Sequence, residues 1–202
     1  MFHTCGALSS RILRSAHGNG ASVASLHPLQ SLANVQDAVK NLQGSYFCIE
    51  GDESACAAAK EIVSALGGLE ISVPVYSKPL YHAGASVVSN FLVATIGFGL
   101  ELFEAAGINR NDALKAVMPL IKGTVNNIVS AGIPLALTGP VSRGDTGVIE
   151  GHMASISAVR PELTQLYCEL GRYTVKVAIE KGTLKMETAQ TILSLFDKYC
   201  KI

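Results

Sequence analysis

The sequence predicts an α/β region followed by an all-α region: a partial doubly wound parallel sheet and then a helical domain. Up to residue 76, short apolar runs rich in β-branched residues alternate with segments of helical spacing, which is the pattern of a mainly parallel sheet. From Lys78 onward, the apolar residues recur only at helical spacing. We therefore expect two domains, residues 1–76 and 77–202, that join near Ser77.

The first region contains three apolar runs that have the composition of strands and are bounded by Gly, Asn or Asp. These runs are residues 21–26, 45–50 and 69–75. Segments 34–42 and 53–68 lie between them and have helical spacing, and the second of them ends at the stop signal Gly67-Gly68. The opening segment, MFHTCGALSS, has the pattern of a strand end that enters a helix.

The second region begins with a long helix, predicted from about Pro79 to Ala106. The next predicted helix, residues 111–132, contains Pro119 and Gly123, which predict a kink or a break. A loop at 133–145 separates this helix from three more, which we expect at residues 146–158, 161–181 and 187–200.

The composition excludes several classes of protein. Hydrophobic residues make up 49% of the 202 residues and charged residues 16%, which is unlike a disordered chain. Lys plus Arg (16) balance Asp plus Glu (16), which argues against a broad nucleic-acid-binding surface. The 5 cysteines never form a C-x-x-C pair, so we expect neither a zinc site nor a disulfide framework. These cysteines and the absence of a secretion signal predict a reducing, cytoplasmic location.

Residues 83–100, AGASVVSNFLVATIGFGL, carry no charge over a length that would nearly cross a bilayer. Ser86, Ser89, Asn90 and three glycines interrupt this stretch, and no Lys/Arg cluster marks one of its ends. A helix that is apolar nearly all round can also be buried in a large fold or in a dimer. We expect this helix to be buried in the fold or in a dimer, and not to cross a membrane.

His27 stands directly before Pro28 in the segment SLHPLQSL. The proline forces extended geometry on His27 and ends the strand, which places the histidine at the carboxyl edge of the sheet. Ligands of open α/β sheets bind outside that edge, and an imidazole there can transfer a proton near neutral pH. The alternative is a surface or supporting histidine. Gln30 is a weaker polar companion.

Thr4, Gly6 and Ser9 cluster at the predicted turn from the first strand into a helix. Helix N-termini offer free N–H groups to anions, and glycine permits close approach, so these residues are candidates for cofactor binding. The alternative is an ordinary helix cap by Thr4 or Ser9.

Lys78, His82, Ser86 and Asn90 recur at intervals of four and form one polar stripe on an otherwise apolar helix. Burying such a stripe requires hydrogen-bond partners or a wet cleft. For His82 and Asn90 we favour a binding site over hydrogen bonds within the core. An anion near the helix N-terminus would explain Lys78, but we expect this side chain to extend into water.

The loop segment LTGPVSRGD offers Arg143 as a ligand for a carboxylate or phosphate. Asp145 is placed to cap the helix that begins at Thr146. His152, in the next helix, is expected to be structural.

A dinucleotide-binding sheet should begin with a strand, a G-x-G-x-x-G turn and a helix, and the sequence contains no such turn. The segment HGNGAS precedes a predicted strand instead of following one. We therefore expect the chain to begin midway through such a domain.

The segments FHTCGALS, SLHPLQSLA, FCIEGD, KPLYHAGASVVSNFLVA and LTGPVSRGD together resemble a bacterial family of NAD(P)-dependent oxidoreductases. Members of this family pair an N-terminal Rossmann-like domain with a C-terminal domain of unknown function. The latter is similar to the helical domains of 6-phosphogluconate and β-hydroxyacid dehydrogenases. The resemblance covers essentially the whole chain.

The resemblance implies hydride transfer between NADP or NAD and a small anionic hydroxy or oxo compound in an interdomain cleft. The His-Pro pair is similar to a motif of prephenate dehydrogenases, which implies that His27 binds the substrate and assists proton removal. His82 is the second implied catalytic residue, and Ser86, Asn90 and Arg143 are the implied substrate ligands. The resemblance also implies a homodimer formed through the helical domain. The missing Gly-rich turn leaves an alternative, a noncatalytic helical module for dimerisation or small-molecule binding.

Overall fold

The computed structural model describes residues 1–32 and 34–200, without the side chains of 35–38. A four-stranded sheet with its helices is followed by helices alone, which confirms the predicted order of an α/β and then an all-α region. The chain divides into two compact units, Met1–Thr95 and Ile96–Ile202. This division falls inside a long helix, whereas the predicted domain boundary near Ser77 coincides with the start of that helix and stays a prediction.

The strands follow one another across the sheet in chain order, and two of the three pairings are parallel. They are β1 (Phe2–His3), β2 (Ala24–Pro28), β3 (Tyr46–Gly51) and β4 (Leu69–Ser72). The pairing of β2 with β3 is antiparallel. The alternation of strand and helix predicts a connecting helix at each step. It does not determine whether that helix returns the chain to the same end of the sheet.

The helices match the predicted segments closely. In the first unit they are α1 (Arg14–Gly18), α2 (Val35–Leu42) and α3 (Glu53–Ala65), followed by α4 (Lys78–Ala105), which crosses into the second unit. The second unit then contains α5 (Arg110–Ala131), α6 (Ile133–Ala136), α7 (Pro140–Arg143), α8 (Thr146–Val159), α9 (Thr164–Lys181) and α10 (Met186–Tyr199). Helix α5 continues through Pro119, so the break considered there is absent from this helix.

The two faces of the sheet differ in chemistry because side chains alternate along each strand. Leu26 lies opposite Ile49 on one face, where both pack with Phe47 against α3. The next pairs point to the other face: Ser25 lies opposite Glu50, and His27 lies opposite Cys48. The second face is therefore polar although Ser25, Cys48 and Glu50 are buried.

The core of the helical unit forms between α8, α9 and α10. Met153, Val175, Ile192 and Phe196 are buried there. Gly171 allows close packing, because a Cβ at that position would collide with the ring of Phe196. The side chain of Asp145 accepts a hydrogen bond from the Val148 amide, which confirms the predicted cap of α8.

A disulfide joins Cys168 in α9 to Cys200 after α10. The prediction that the cysteines would form no disulfide is wrong for this pair. The two residues are 32 positions apart and each lies in an apolar segment, so their sequence spacing gives no sign of the bond. Packing of α10 against α9 brings the two sulfurs together.

Reduction of this disulfide is expected to destabilise the helical unit by about 3–4 kcal/mol, because the bond restricts a long loop of the unfolded chain. Urea unfolding with and without reductant measures the effect. A Cys168→Ser/Cys200→Ser variant should already be as unstable as the reduced protein and should not respond to reductant. Equal stability of the oxidised and reduced proteins would contradict the prediction.

Helix α4 is largely exposed within the chain. The segment Val75–Ala105 is long and apolar enough to cross a membrane, with a mean hydropathy of 1.6, and only 11% of that apolar window is buried. Val88, Phe91 and Val93 are among its exposed side chains. Of the two arrangements expected for this stretch, burial within the fold or in a dimer, burial within the described part of the chain is not observed. Burial in a dimer stays a prediction.

Candidate functional site

His27 is the fourth residue of β2, and Pro28 is the last. The strand thus ends at Pro28, one residue after His27, as the proline predicts. The His27 side chain is partly buried on the polar face of the sheet, next to the first turns of α4. This position leaves part of the ring accessible while the strand fixes its backbone.

Tyr81 and His82 of α4 both contact the His27 ring. The hydroxyl Oη of Tyr81 lies 3.0 Å from Nδ1 of His27, and the two rings are nearly perpendicular, at 88°. The ring centroids of His27 and His82 are 6.1 Å apart. Three aromatic side chains from one strand and one helix turn therefore form a compact cluster.

Lys78, at the start of α4, is completely buried. Its Nζ donates a hydrogen bond to Oγ of Ser25 at 3.0 Å and lies 5.4 Å from the centroid of the Tyr81 ring. The prediction that this side chain extends into water is therefore wrong. The polar face of the sheet accepts the ammonium group, and sequence spacing along α4 cannot show what the first helical turn packs against.

Gly6 lies against both imidazoles. A Cβ at this position would be 2.6 Å from Nε2 of His27 and 2.6 Å from Cδ2 of His82, so any side chain would displace the rings. Thr4 is exposed, and Ser9 makes no cap hydrogen bond with its side chain. The predicted close approach at Gly6 is thus made by two histidines, and the use of Thr4, Gly6 and Ser9 for a cofactor stays a prediction.

The buried carboxylate of Glu50 caps the helical turn that begins at Ser10. It accepts hydrogen bonds from the amide of Ser10 at 2.7 Å and from its hydroxyl at 2.8 Å. A negative charge already occupies the place that was expected to receive an anion. This contact could not be predicted from sequence spacing, because Glu50 stands 40 residues from Ser10.

One pocket collects four of the residues predicted from the sequence. It has a volume of about 490 Å³ and lies between the end of β2, the loop after it and one face of α4. The predicted residues that line it are His27, His82, Ser86 and Asn90. Gln30, Ser31 and Ser89 add polar atoms, and Leu29, Ala85, Val88, Leu92 and Val93 complete the apolar part. His82, Ser86 and Asn90, which recur at intervals of four on α4, thus line the same pocket as His27.

Burial and nearby charge alter the acid–base behaviour of this cluster. Burial, the Lys78 ammonium and His82 lower the pKa of His27 from 6.5 to about 4, in that order of importance. Burial raises the pKa of Tyr81 and also that of Cys48. All three side chains are therefore uncharged near neutral pH. The charged side chains on this face of the sheet are Lys78, which bonds to Ser25, and Glu50, which bonds to Ser10.

The pKa of His27 predicts a pH effect on the stability of the first unit. Between pH 6.5 and about 4, the unfolded chain binds a proton at His27 that the folded chain does not, so stability falls as the pH drops through this window. Hydrogen exchange of the β2 amides at several pH values measures this effect. A His27→Gln variant should lose less stability over the same range, and equal slopes for the two proteins would contradict the prediction.

Arg143 and His152 lie in the second unit. Arg143 lines a cavity of about 460 Å³ together with Ser142, Lys181 and Thr183. Nδ1 of His152 is 2.7 Å from the hydroxyl of Tyr167, which agrees with a structural histidine. The predicted role of Arg143 as a substrate ligand stays a prediction.

Three residues of the cluster were missed in the sequence, namely Ser25, Cys48 and Tyr81. Each lies in an apolar segment, where a single polar residue is common. Ser25 and Cys48 alternate with the core residues Leu26 and Ile49 along their strands, which would have placed both on the polar face if the strand register were known. That register is known only from the structure.

The helical turn that begins at Ser10 does not fit the pyrophosphate of a dinucleotide. The sequence has no G-x-G-x-x-G turn, and the carboxylate of Glu50 already accepts hydrogen bonds from the amide and hydroxyl of Ser10. An anionic group at this turn would meet a buried carboxylate. Binding of a substrate and proton exchange with it therefore depend on the side chains of the pocket.

Comparisons with solved structures give the fold. Protein TM1727 from Thermotoga maritima superimposes with a TM-score of 0.76 at 29% identity, over 90% of this chain and 69% of that one. A proposed NADP oxidoreductase of Bacteroides fragilis, BF3122, gives 0.69 at 20% identity, over 87% and 64%. Plasmodium falciparum pyrroline carboxylate reductase, with NADP bound, gives 0.54 at 15% identity, over 97% and 71%. The chain thus shares the fold of these proteins, an α/β region followed by helices, and the last two similarities concern the fold alone.

No curated protein matches the sequence significantly. The family model described as a domain of unknown function, DUF2520, matches residues 45–174. This match includes β3, the first turns of α4 with Lys78, Tyr81 and His82, and most of the helical unit. The chain belongs to the DUF2520 family.

Proposed function

We propose that the chain supplies the substrate site of an NAD(P)-dependent oxidoreductase that acts on a small anionic hydroxy or oxo compound. The observation that carries the proposal is the pocket of about 490 Å³ lined by His27, His82, Ser86 and Asn90. Two imidazoles side by side can hydrogen-bond to a reacting C–O group and exchange a proton with it. The hydroxyl and amide of Ser86 and Asn90 can hold the rest of a small polar molecule.

The charge of the cluster supports an anionic substrate. Lys78 is a buried cation whose hydrogen-bond partner, Ser25, is neutral. An anion near the cluster would compensate that charge in a region of low dielectric constant. Arg143 remains a second proposed ligand for the substrate's negative group, and its role requires a separate test because it belongs to the other unit.

The proposed cofactor is NADP or NAD. Its support is the likeness to the proposed NADP oxidoreductase of Bacteroides fragilis and to the NADP-bound reductase of Plasmodium falciparum. When bound, the nicotinamide would donate or accept the hydride. Likeness of the helical unit to 6-phosphogluconate dehydrogenase is part of the same proposal.

The proposal is tested by following NADPH and NADH absorbance with the full chain and a panel of probes: pyruvate, 2-oxobutyrate, 2-oxoglutarate and oxaloacetate. We expect oxidation of at least one cofactor with at least one 2-oxo acid, and no oxidation with the uncharged probe acetone. An absence of turnover with every probe would contradict the proposal, as would faster turnover with acetone.

A noncatalytic dimerisation module is the second candidate, favoured by the exposed apolar surface of α4. Val88, Phe91 and Val93 are exposed on a helix without charge between Lys78 and Glu101. We propose that a second copy of this chain covers the surface, because Ser86, Ser89 and Asn90 on the same helix suit a protein partner better than lipid. Catalysis and dimerisation are compatible.

Light scattering after size-exclusion chromatography tests the dimer. A dimer that becomes a monomer in a Val88→Glu/Phe91→Glu variant supports it. A monomeric wild-type protein, or one that is soluble only in detergent, contradicts it. Ile62→Glu, at an exposed apolar position on α3, is the matched control and should leave the dimer intact.

A further inference from the structure

Tyr81 and His27 meet at one nitrogen of the imidazole. The hydroxyl oxygen of Tyr81 is 3.0 Å from Nδ1, with ring centroids 5.7 Å apart. In a neutral imidazole, one nitrogen carries a proton and the other accepts a hydrogen bond. The direction of the bond at Nδ1 therefore decides which chemistry the opposite nitrogen, Nε2, can perform.

The thiol of Cys48 lies on the same face of the sheet, because Cys48 stands opposite His27 in the strand pairing. A phenol is a better hydrogen-bond donor than an imidazole N–H, and an imidazole nitrogen is a better acceptor than a phenol oxygen. The stronger order is therefore the Tyr81 O–H to Nδ1 of His27.

The ammonium group of Lys78 favours the same order. It can only donate hydrogen bonds, and it lies 5.4 Å from the centroid of the Tyr81 ring. A cation next to a phenol stabilises negative charge on it and makes the O–H a better donor. The donor strength of the phenol and the nearby Lys78 charge thus both favour a hydroxyl proton that is directed towards Nδ1 of His27.

We propose that Tyr81 is a positioning residue that holds His27 in the tautomer with its proton on Nε2, so that His27 presents a hydrogen-bond donor to the pocket. Gly6 packs against this nitrogen, and only a residue without a side chain leaves space beside it, since a Cβ at residue 6 would lie 2.6 Å away. His27 then polarises the oxygen of an oxo group, and proton exchange with that oxygen falls to His82. The role in catalysis rests on the proposed function, but the tautomer does not.

The test is an NMR measurement of the long-range ¹⁵N–¹H correlations of histidine rings in the full chain, without cofactor or substrate. The His27 signals are assigned by their loss in His27→Gln. We expect the Nε2–H tautomer to predominate in the wild-type protein. Tyr81→Phe should reduce the ratio of the two tautomers by about tenfold, the effect of one lost hydrogen bond. Tyr46→Phe, at an exposed tyrosine on β3, should leave the ratio unchanged.

A wild-type protein with the proton on Nδ1, or a Tyr81→Phe variant with the wild-type ratio, would overturn the proposal. Cys48→Ala gives an independent check, because it removes the thiol opposite His27 in the sheet, leaves the Tyr81–His27 hydrogen bond in place and should keep the Nε2–H tautomer. The outcome is separate from that of the enzyme assay. The expected tautomer without NADPH or NADH turnover would contradict the proposed function only, and turnover with the opposite tautomer would contradict this inference only.

Discussion

Replacing His27 with alanine is expected to lower turnover of the 2-oxo acid probes by about 10²- to 10⁴-fold, the usual range for a group that acts on the reacting atoms. His27 is the ring of the pocket that contacts both Tyr81 and His82. The change should lower kcat more than it raises KM, because the lost interaction is strongest when charge develops on the substrate oxygen. Steady-state kinetics with NADPH or NADH, whichever is used, measures both constants.

Two variants sharpen this experiment. His27→Gln retains a neutral N–H donor, so it should lose less activity than His27→Ala if His27 acts as a donor. His17→Ala removes an exposed histidine whose Nδ1 contacts Asp52, and it should keep wild-type kcat. Wild-type turnover in His27→Ala would exclude His27 from the reaction.

Replacing Glu50 with alanine is expected to destabilise the first unit by about 2–4 kcal/mol. The substitution removes both hydrogen bonds to Ser10 and leaves a buried amide and hydroxyl without an acceptor. Because this contact also fixes the turn that contains Gly6, the two histidines should become less ordered. Hydrogen exchange of amides in β2 and β3 measures the stability of this unit directly.

The matched controls separate the buried contact from a general loss of charge. Glu50→Gln keeps one carbonyl acceptor and should destabilise the unit less than Glu50→Ala. Glu70→Ala removes an exposed carboxylate that pairs with Lys60 and should change stability by about 0–1 kcal/mol. Equal protection of the β2 and β3 amides in Glu50→Ala and wild type would show that Ser10 finds another acceptor.

Much of the candidate site could be predicted because its geometry is local. Pro28 ends β2 wherever the strand lies, so His27 must stand next to its end. A spacing of four residues places His82, Ser86 and Asn90 on one face of any helix, and all three line the pocket. The predicted helices and the order of an α/β and then an all-α region follow from periodicity in the same way.

The remaining features depend on contacts between distant segments. The burial of Lys78, the Glu50 cap and the Cys168–Cys200 disulfide join residues 32 or more positions apart. The sequence spacing of these pairs does not predict the contacts, because each residue alone is equally consistent with a position exposed to water.

Which residues lie at a strand end and which share one helix face follows from the sequence, because chain geometry within a few residues fixes both. What those residues contact depends on the packing of distant segments against one another. The antiparallel register of β2 with β3 sets Ser25, His27 and Cys48 on one face, and the packing of α4 adds Lys78 and Tyr81 to them. Burial of the ring lowers the pKa of His27, and the nearby Lys78 ammonium lowers it further, so the imidazole is neutral.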